Sequence, residues 1–286
     1  RIAGLNQAAR GVINIIAAPL GALVMDLIGV EGSVMIDVVT AILAVSIVSF
    51  VTIPRQQILE KKEGSKLGVI LHDMKEGFQY LKSWKGMMVM TAIALLFKIA
   101  LSPAFSLIPL LVQEHFHGDA AQYSMVEVAF GVGVIVGGSA LGAWGGFKKK
   151  VYTMLMGAIG VGGGIMALGL IPEGGLYASL VPCFLIGFMV PMVDGPLMAI
   201  MQEHIDNEYQ GRVFTIFGSL ISLSTPVGLA IAGPVSDALG IQFWFIAAGV
   251  LIFFSMAIGL SIKSFREIEE GPAVNPNKVS SQELSE

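Results

Sequence analysis

Long apolar runs separated by short polar breaks dominate the pattern of this chain. Each run holds about 20 residues or more, enough for an α-helix rising 1.5 Å per residue to cross a hydrocarbon core of roughly 30 Å. The eight runs occupy residues 7–28, 33–53, 87–112, 123–147, 151–171, 176–201, 213–239 and 241–262. The pattern therefore predicts an all-α, polytopic membrane protein with eight transmembrane helices.

Two polar segments divide the chain. Residues 54–86 carry seven basic residues against four acids and predict a soluble linker with an amphipathic helix near 69–81. Beyond the last apolar run the chain is polar and contains Pro272 and Pro276, which predicts disorder. The predicted organisation is a helical pair (1–53), a linker (54–86), a six-helix unit (87–263) and a disordered tail (264–286).

Basic residues gather on one side of this predicted bundle. All but one of the 17 lie at the start of the chain, in the linker, in the turns at 148–150 and Arg212, or in the tail. The opposite loops contain acids but no basic residue; these acids are Glu31, Glu114, Asp119, Glu173 and Asp237. Because basic loops stay in the cytoplasm, both termini and the linker are predicted to be cytoplasmic.

Composition narrows the possible functions. The chain is 55% apolar and 13% charged, whereas soluble domains are about 25% charged. With one cysteine, Cys183, it can form neither an intrachain disulfide nor a thiolate metal cluster. The net charge is −4 and acids are interspersed among the basic loop residues, which gives no reason to expect nucleic acid. No phosphate-binding Gly-rich signature for ATP occurs either. We therefore expect no enzyme activity, cofactor or metal, and a lipid bilayer as the surroundings.

Lys98 and Asp194 are the strongest candidates for a functional site. Lys98 lies near the middle of the third predicted helix, where a charge normally faces a cavity or a partner. It could serve transport, or it could pair with a carboxylate that holds two helices together. Asp194 lies between Pro191 and Pro196, which weaken the helical hydrogen bonding. Its carboxylate could exchange protons during transport, or it could cap the freed backbone N–H groups.

Further titratable residues lie nearer the predicted helix ends. Asp37 and Glu127 could attract cationic drugs at an entrance, or they could simply reach interfacial water. His115 and His117 could bind a metal or sense pH, although two histidines flanking one phenylalanine are typical of an exposed loop. The interfacial and exposed-loop interpretations are favoured.

Glycine and proline positions indicate close helix packing and an internal repeat. Gly131 and Gly133 resemble part of a nucleotide-binding loop, but no predicted strand precedes them, so they favour helix packing instead. The run Ala18-Pro19-Leu20-Gly21 recurs as Thr225-Pro226-Val227-Gly228, and both are followed by an Asp and a Gly. Such an internal sequence repeat is typical of a transporter built from two similar halves.

Several stretches carry a resemblance to a known family. They are Gln202-Glu203-His204, the run from Glu208 through Gln210-Gly211-Arg212 to Phe214, Pro226-Val227-Gly228, and Trp244-Phe245. Together with Gly4-Leu5-Asn6-Gln7, they resemble macrolide-efflux proteins of the major facilitator superfamily. The resemblance implies that 1–53 forms the last two helices of an N-terminal half, that 87–263 forms the C-terminal half, and that four helices precede this chain.

The same resemblance implies a function. Gly11 with Pro19 and Gly21 resembles the glycine-proline motif of drug–proton antiporters, which favours export. The expected protein is a multi-pass cell-membrane transporter that exports a small amphipathic drug, with protons as the coupling ion. Glu208, Gly211 and Arg212 would form a cytoplasmic gate through ion pairs, or would simply anchor the helix at the interface.

Three alternatives to drug export stay open at the level of sequence. The exported compound could be a siderophore or a metabolite. The helices could belong to a non-transporting sensor or scaffold, although the linker and tail are too short and polar to fold a sensor module. The chain could also be an inactive fragment without its remaining helices.

Overall fold

The computed structural model of the protein describes residues 32, 35–36, 38–47, 77–82, 84–205 and 207–270. This part contains six helices that are long and apolar enough to cross a membrane. They are α1 (Lys85–Leu110), α2 (Ala120–Trp144), α3 (Lys150–Leu170), α4 (Leu176–His204), α5 (Asn207–Leu239) and α6 (Ile241–Ser261). The all-α polytopic class is confirmed. Of the first two predicted helices, the structure describes an apolar segment at Val38–Ile47, within the second.

Helix ends differ from the predicted bounds where local chemistry overrides hydropathy. Helix α1 continues into a π-helical turn, Leu111–His115. Helix α2 ends at Trp144, before the predicted residue 147, because Gly145 and Gly146 adopt left-handed conformations (φ 81° and 80°) that stop a helix. Helix α5 starts six residues before the predicted position because its first turns are polar, and hydropathy does not detect them.

The helices pack in a continuous arrangement, and glycines set their closest approaches. Helix α4 packs between α2 and α3, α3 also packs against α6, and α1 packs against α5 and α6. A side chain on Gly133 of α2 would place its Cβ 2.9 Å from the backbone nitrogen of Phe188 in α4. Gly249 of α6 would likewise meet the carbonyl oxygen of Gly162 in α3 at 2.8 Å. Small residues thus let these helices meet backbone to backbone.

The two ends of the bundle differ in charge. The basic end, defined by Lys149, Lys150 and Lys263, contains the starts of α1, α3 and α5 and the ends of α2, α4 and α6. The acidic end, opposite, carries Glu114, Asp119, Glu173 and Asp237. The charge asymmetry expected from the sequence is therefore present in the described six-helix unit, as the helix order requires.

A short segment after α6 covers the basic end. Residues Lys263–Arg266 form one helical turn, followed by a 3-10 turn at Ile268–Glu270. Phe265 and Ile268 are fully buried, and the Glu269 carboxylate accepts a hydrogen bond from the Val151 backbone N–H at 2.9 Å. The order of these residues differs from the disorder predicted from residue 264 onwards, because two apolar side chains anchor the segment. Residues 271–286 lie outside the described part.

The end of the predicted linker also contacts this unit. Residues 77–82 are helical, within or next to the predicted amphipathic helix at 69–81. Leu81 is buried, and the Tyr80 ring stacks on Tyr209 at the start of α5, with centroids 4.7 Å apart. Residues 48–76 lie outside the described part, so the division of the chain at residues 53 and 86 stays a prediction.

Candidate functional site

Lys98 and Asp194 lie next to each other inside the membrane-spanning part of the bundle. Lys98 comes from the middle of α1, and Asp194 comes from α4, between its prolines at 191 and 196. The Lys98 Nζ atom lies 3.8 Å from the Asp194 Oδ1 atom. The pair therefore links two helices and balances its own charge. Both side chains also keep contact with the surroundings, since 27% and 36% of their surfaces are exposed.

This ion pair borders an apolar pocket. The pocket is small, with about 30 Å³ of free space, and Lys98 and Asp194 are the charged residues that line it. Five helices supply the apolar lining, which includes Phe97, Met90, Met154, Ile221 and Met256. This space is enough for water but far below the roughly 300–1,000 Å³ of a site for a drug-sized molecule, so a bulky ligand would need the helices to move apart. Flexible methionine side chains allow such a lining to adapt to ligands of different shape.

The prolines of α4 explain why a carboxylate can occupy this position. Pro191 and Pro196 are buried, and each removes a backbone N–H from the hydrogen bonding of the helix. The group that each proline leaves without a partner is a carbonyl oxygen, which a carboxylate cannot cap. Within the described residues, the contact of Asp194 is its ion pair with Lys98. Its carboxylate is therefore directed towards the pocket and α1 rather than committed to its own helix.

Gly228 places α5 against the helix that carries Lys98. A Cβ at Gly228 would lie 2.6 Å from the carbonyl oxygen of Ile99 and 2.5 Å from Pro103 Cγ. Pro226 lies in the same helix, two residues earlier. Any larger residue at position 228 would push α5 away from α1, so this glycine helps to set the width of the pocket.

Glu127 has a different environment from Asp194. It lies two turns into α2, about 10 Å from the acidic end of that helix at 1.5 Å per residue. The carboxylate is half-buried, and its Oε1 accepts a hydrogen bond from the Tyr123 hydroxyl at 3.1 Å. No lysine, arginine or histidine in the described part of the chain forms an ion pair with it. The interfacial interpretation of Glu127 therefore stays a prediction.

The predicted gate residues lie at the start of α5, on the basic end. The Arg212 guanidinium stands over the ring of Tyr209, 5.8 Å from its centroid, and Gly211 has open space around it. Glu203, which the sequence places close to Arg212, pairs with Lys150 of α3. The backbone of Glu208 belongs to α5, but its side chain lies outside the described residues. Gly11, Pro19, Gly21 and Asp37 also lie outside them.

Comparison with known proteins identifies the family. The model of the Major Facilitator Superfamily matches residues 1–229 and, in a second match, residues 87–283. The chain belongs to the Major Facilitator Superfamily.

Individual relatives within the Major Facilitator Superfamily include efflux proteins. Macrolide efflux protein A of Streptococcus pyogenes is 29% identical over 269 residues, which cover 94% of this chain and 66% of that protein. The protein of the same name from Enterococcus faecalis is 29% identical over 80% of this chain and 70% of its own length. Multidrug efflux pump Tap of Mycolicibacterium fortuitum is 24% identical over 53% of this chain and 36% of its own length. The chain thus spans slightly less than two thirds of the Streptococcus relative.

One polar contact in this Major Facilitator Superfamily chain was not foreseen from the sequence. His115 is buried at the end of the π-helical turn, rather than exposed in a loop. Its Nε2 donates to the carbonyl oxygen of Ile171 at 2.8 Å, and its Nδ1 accepts from the Gln242 side chain. The contact ties the ends of α1 and α3 to the start of α6. No sequence signal distinguishes it from an exposed His-Phe-His loop, because its partners are distant along the chain.

Proposed function

We propose that this chain forms part of a secondary transporter that exports an amphipathic drug, such as a macrolide, in exchange for protons. The pocket beside Lys98 and Asp194 carries the proposal, because it combines an adaptable apolar lining with charge at membrane depth. Substrate and coupling-ion sites of secondary transporters lie near the bilayer midplane, and Lys98 occupies that depth in α1.

Two observations favour a drug over a small polar metabolite. Met90, Phe97, Met154 and Met256 offer a soft apolar surface that suits a bulky hydrophobic ligand. The relatives that align over most of the chain are named macrolide efflux proteins. A metabolite rich in hydroxyl or carboxylate groups would find few hydrogen-bonding partners in this lining.

Orientation follows from the charge of the two ends. In the proposed arrangement the basic end faces the cytoplasm, so both termini and the linker are cytoplasmic and the acidic end faces outwards. The start of α5, with Gly211 and Arg212, then lies at the cytoplasmic mouth of the transport path in the cell membrane. Stacking of Tyr80 on Tyr209 connects the linker to this mouth, which supports a role for the region in gating.

Drug accumulation in cells tests the proposal. The full-length open reading frame that encodes this chain would be expressed in drug-hypersensitive bacteria, and erythromycin accumulation would be compared at matched protein levels. We expect at least tenfold weaker resistance for Lys98→Ala and Asp194→Asn, because each change removes one half of the charged wall of the pocket. Glu173→Gln, an exposed acid at the acidic end, serves as the matched control and should behave like the wild type.

A proton ionophore provides the second arm of this experiment. Collapse of the proton gradient should raise erythromycin accumulation in the wild type at least to the level of the Asp194→Asn variant. Unchanged accumulation for erythromycin and for a panel of other amphipathic drugs would contradict drug export, and it would favour the siderophore or metabolite alternative.

A further inference from the structure

The structure contains two intramembrane carboxylates whose polar partners differ in charge. Asp194 has Lys98 as a counterion 3.8 Å away, so the pair is neutral as a whole. Glu127 has the neutral hydroxyl of Tyr123 as its hydrogen-bonding partner. Within the described residues, therefore, Asp194 is charge-balanced and Glu127 is not.

A packing role does not account for Glu127. Tyr123 and Glu127 lie four residues apart on the same helix, so their hydrogen bond joins α2 to itself and to no neighbouring helix. The contact of α2 with α4 rests instead on glycines such as Gly133 and Gly137. By contrast, the Lys98–Asp194 pair links α1 to α4. An acid that costs free energy at this depth and holds no helices together is a candidate for function.

The neighbouring helices bring no positive charge close to Glu127 within the described residues. From α4, the nearby titratable group is the buried thiol of Cys183, which offers no positive charge. From α1, the contact with α2 is the edge-to-face pair of Phe105 with Phe130, with centroids 5.1 Å apart. Lys98 lies seven residues before Phe105 in α1, about 10 Å farther from the acidic end at 1.5 Å per residue. A half-buried carboxylate among apolar groups and a neutral phenol has no counterion in the part of the chain that the structure describes, and binding of a proton would remove the cost of its unpaired charge.

We propose that Glu127 is the proton carrier of the transport cycle and that Tyr123 is its positioning partner, whereas Lys98 and Asp194 serve drug binding. This inference rests on the proposed function. A proton from the side of the acidic end converts the Glu127 carboxylate to the neutral acid, and the Tyr123 hydroxyl holds the side chain in place. When access changes to the opposite side, the acid releases the proton there and the carboxylate is restored. No other co-reactant is needed.

Transport by the purified full-length protein in vesicles separates the two roles. Drug accumulation driven by an imposed pH gradient would be compared with exchange of labelled erythromycin at equal pH on both sides. For Glu127→Gln we expect gradient-driven accumulation to fall more than tenfold while exchange stays within about twofold of the wild type. Asp194→Asn should weaken erythromycin exchange, yet the remaining transport should still respond to the pH gradient. Glu127→Asp, which keeps the carboxyl group, should retain part of the coupling.

A spectroscopic readout tests the proton site without any drug. The infrared carbonyl band of a protonated carboxyl group should be present in the wild-type protein at a pH at which exposed carboxylates, such as that of Glu173, are still ionised. This band should be absent from Glu127→Gln, unchanged in Asp194→Asn, and shifted in frequency in Tyr123→Phe, where the positioning hydrogen bond is missing. Glu173→Gln, an exposed acid, is the control and should leave the band unchanged.

The outcomes distinguish the inference from the function on which it rests. Two results for Glu127→Gln would overturn the assignment of Glu127 while leaving drug export intact. They are erythromycin accumulation that still responds to the pH gradient, and a carboxyl band that is still present. A wild-type protein that neither accumulates nor exchanges erythromycin would instead contradict drug export, and the transport role of Glu127 would fall with it.

Discussion

The two acidic sites inside this bundle, Asp194 beside Lys98 and Glu127 beside Tyr123, show how differently a membrane protein can accommodate a carboxylate. The first belongs to an ion pair between two helices at the edge of an apolar pocket. The second belongs to a single helix and has a neutral partner. A charge with a counterion can remain ionised as the surroundings change, whereas an acid without one gains from binding a proton. The contrast separates residues suited to ligand recognition from residues suited to proton transfer.

Removal of one member of the ion pair gives the largest expected effect on stability. Loss of one partner from a buried pair costs about 3–5 kcal/mol, and partial exposure of both side chains reduces our expectation to about 2 kcal/mol for Lys98→Ala. Thermal and denaturant unfolding of the purified protein would measure the change. The double variant Lys98→Met/Asp194→Leu, which removes both charges, should recover most of the loss. If the double variant is no more stable than Lys98→Ala, the loss of stability in Lys98→Ala does not come from the unpaired Asp194 charge.

A carboxylate at the basic end provides an intermediate reference for this comparison. Glu269 accepts a hydrogen bond from the Val151 N–H at the start of α3, where the unpaired N–H groups of a helix attract negative charge. We expect Glu269→Ala to lower the free energy of unfolding by about 1 kcal/mol, as for loss of a helix cap. Glu267→Ala is the matched control, because Glu267 pairs with exposed Lys263 in the same segment. Equal effects of the two changes would argue against capping.

Sequence patterns predicted the helices far better than the contacts of the site. Apolar runs determine where helices cross a bilayer, so the six described spans follow from hydropathy, apart from polar turns such as the start of α5. The depth of Lys98 and Asp194 was also apparent, since intramembrane charge is rare. Their contact was not predictable, because hydropathy contains no information on which helix faces meet.

Other features depended on tertiary structure in ways that a single sequence does not encode. Phe265 and Ile268 in the predicted disordered tail become buried because the basic end offers them an apolar surface. His115 is buried because the folded chain places Ile171 and Gln242, which are distant in sequence, next to it. The polar partner of Glu127 and the groups from α4 and α1 near it likewise depend on how the helices pack around α2, which a single sequence does not encode.

Substitution of Glu127 should have the smallest effect on stability and so provides the sharpest test of the contrast. Glutamine keeps the size of the side chain and a hydrogen-bond acceptor for the Tyr123 hydroxyl, but it cannot bear a charge at membrane depth. We therefore expect Glu127→Gln to change the free energy of unfolding by less than about 0.5 kcal/mol, or to raise it slightly, since an unpaired buried charge is unfavourable. Unfolding measurements in the same detergent as for Lys98→Ala would give the comparison. A loss above about 1 kcal/mol, the net value of a typical hydrogen bond, would mean that the carboxylate stabilises the fold. In that case Glu127 would have a structural role like that of Asp194, and the proposed assignment of different roles to the two acids would be wrong.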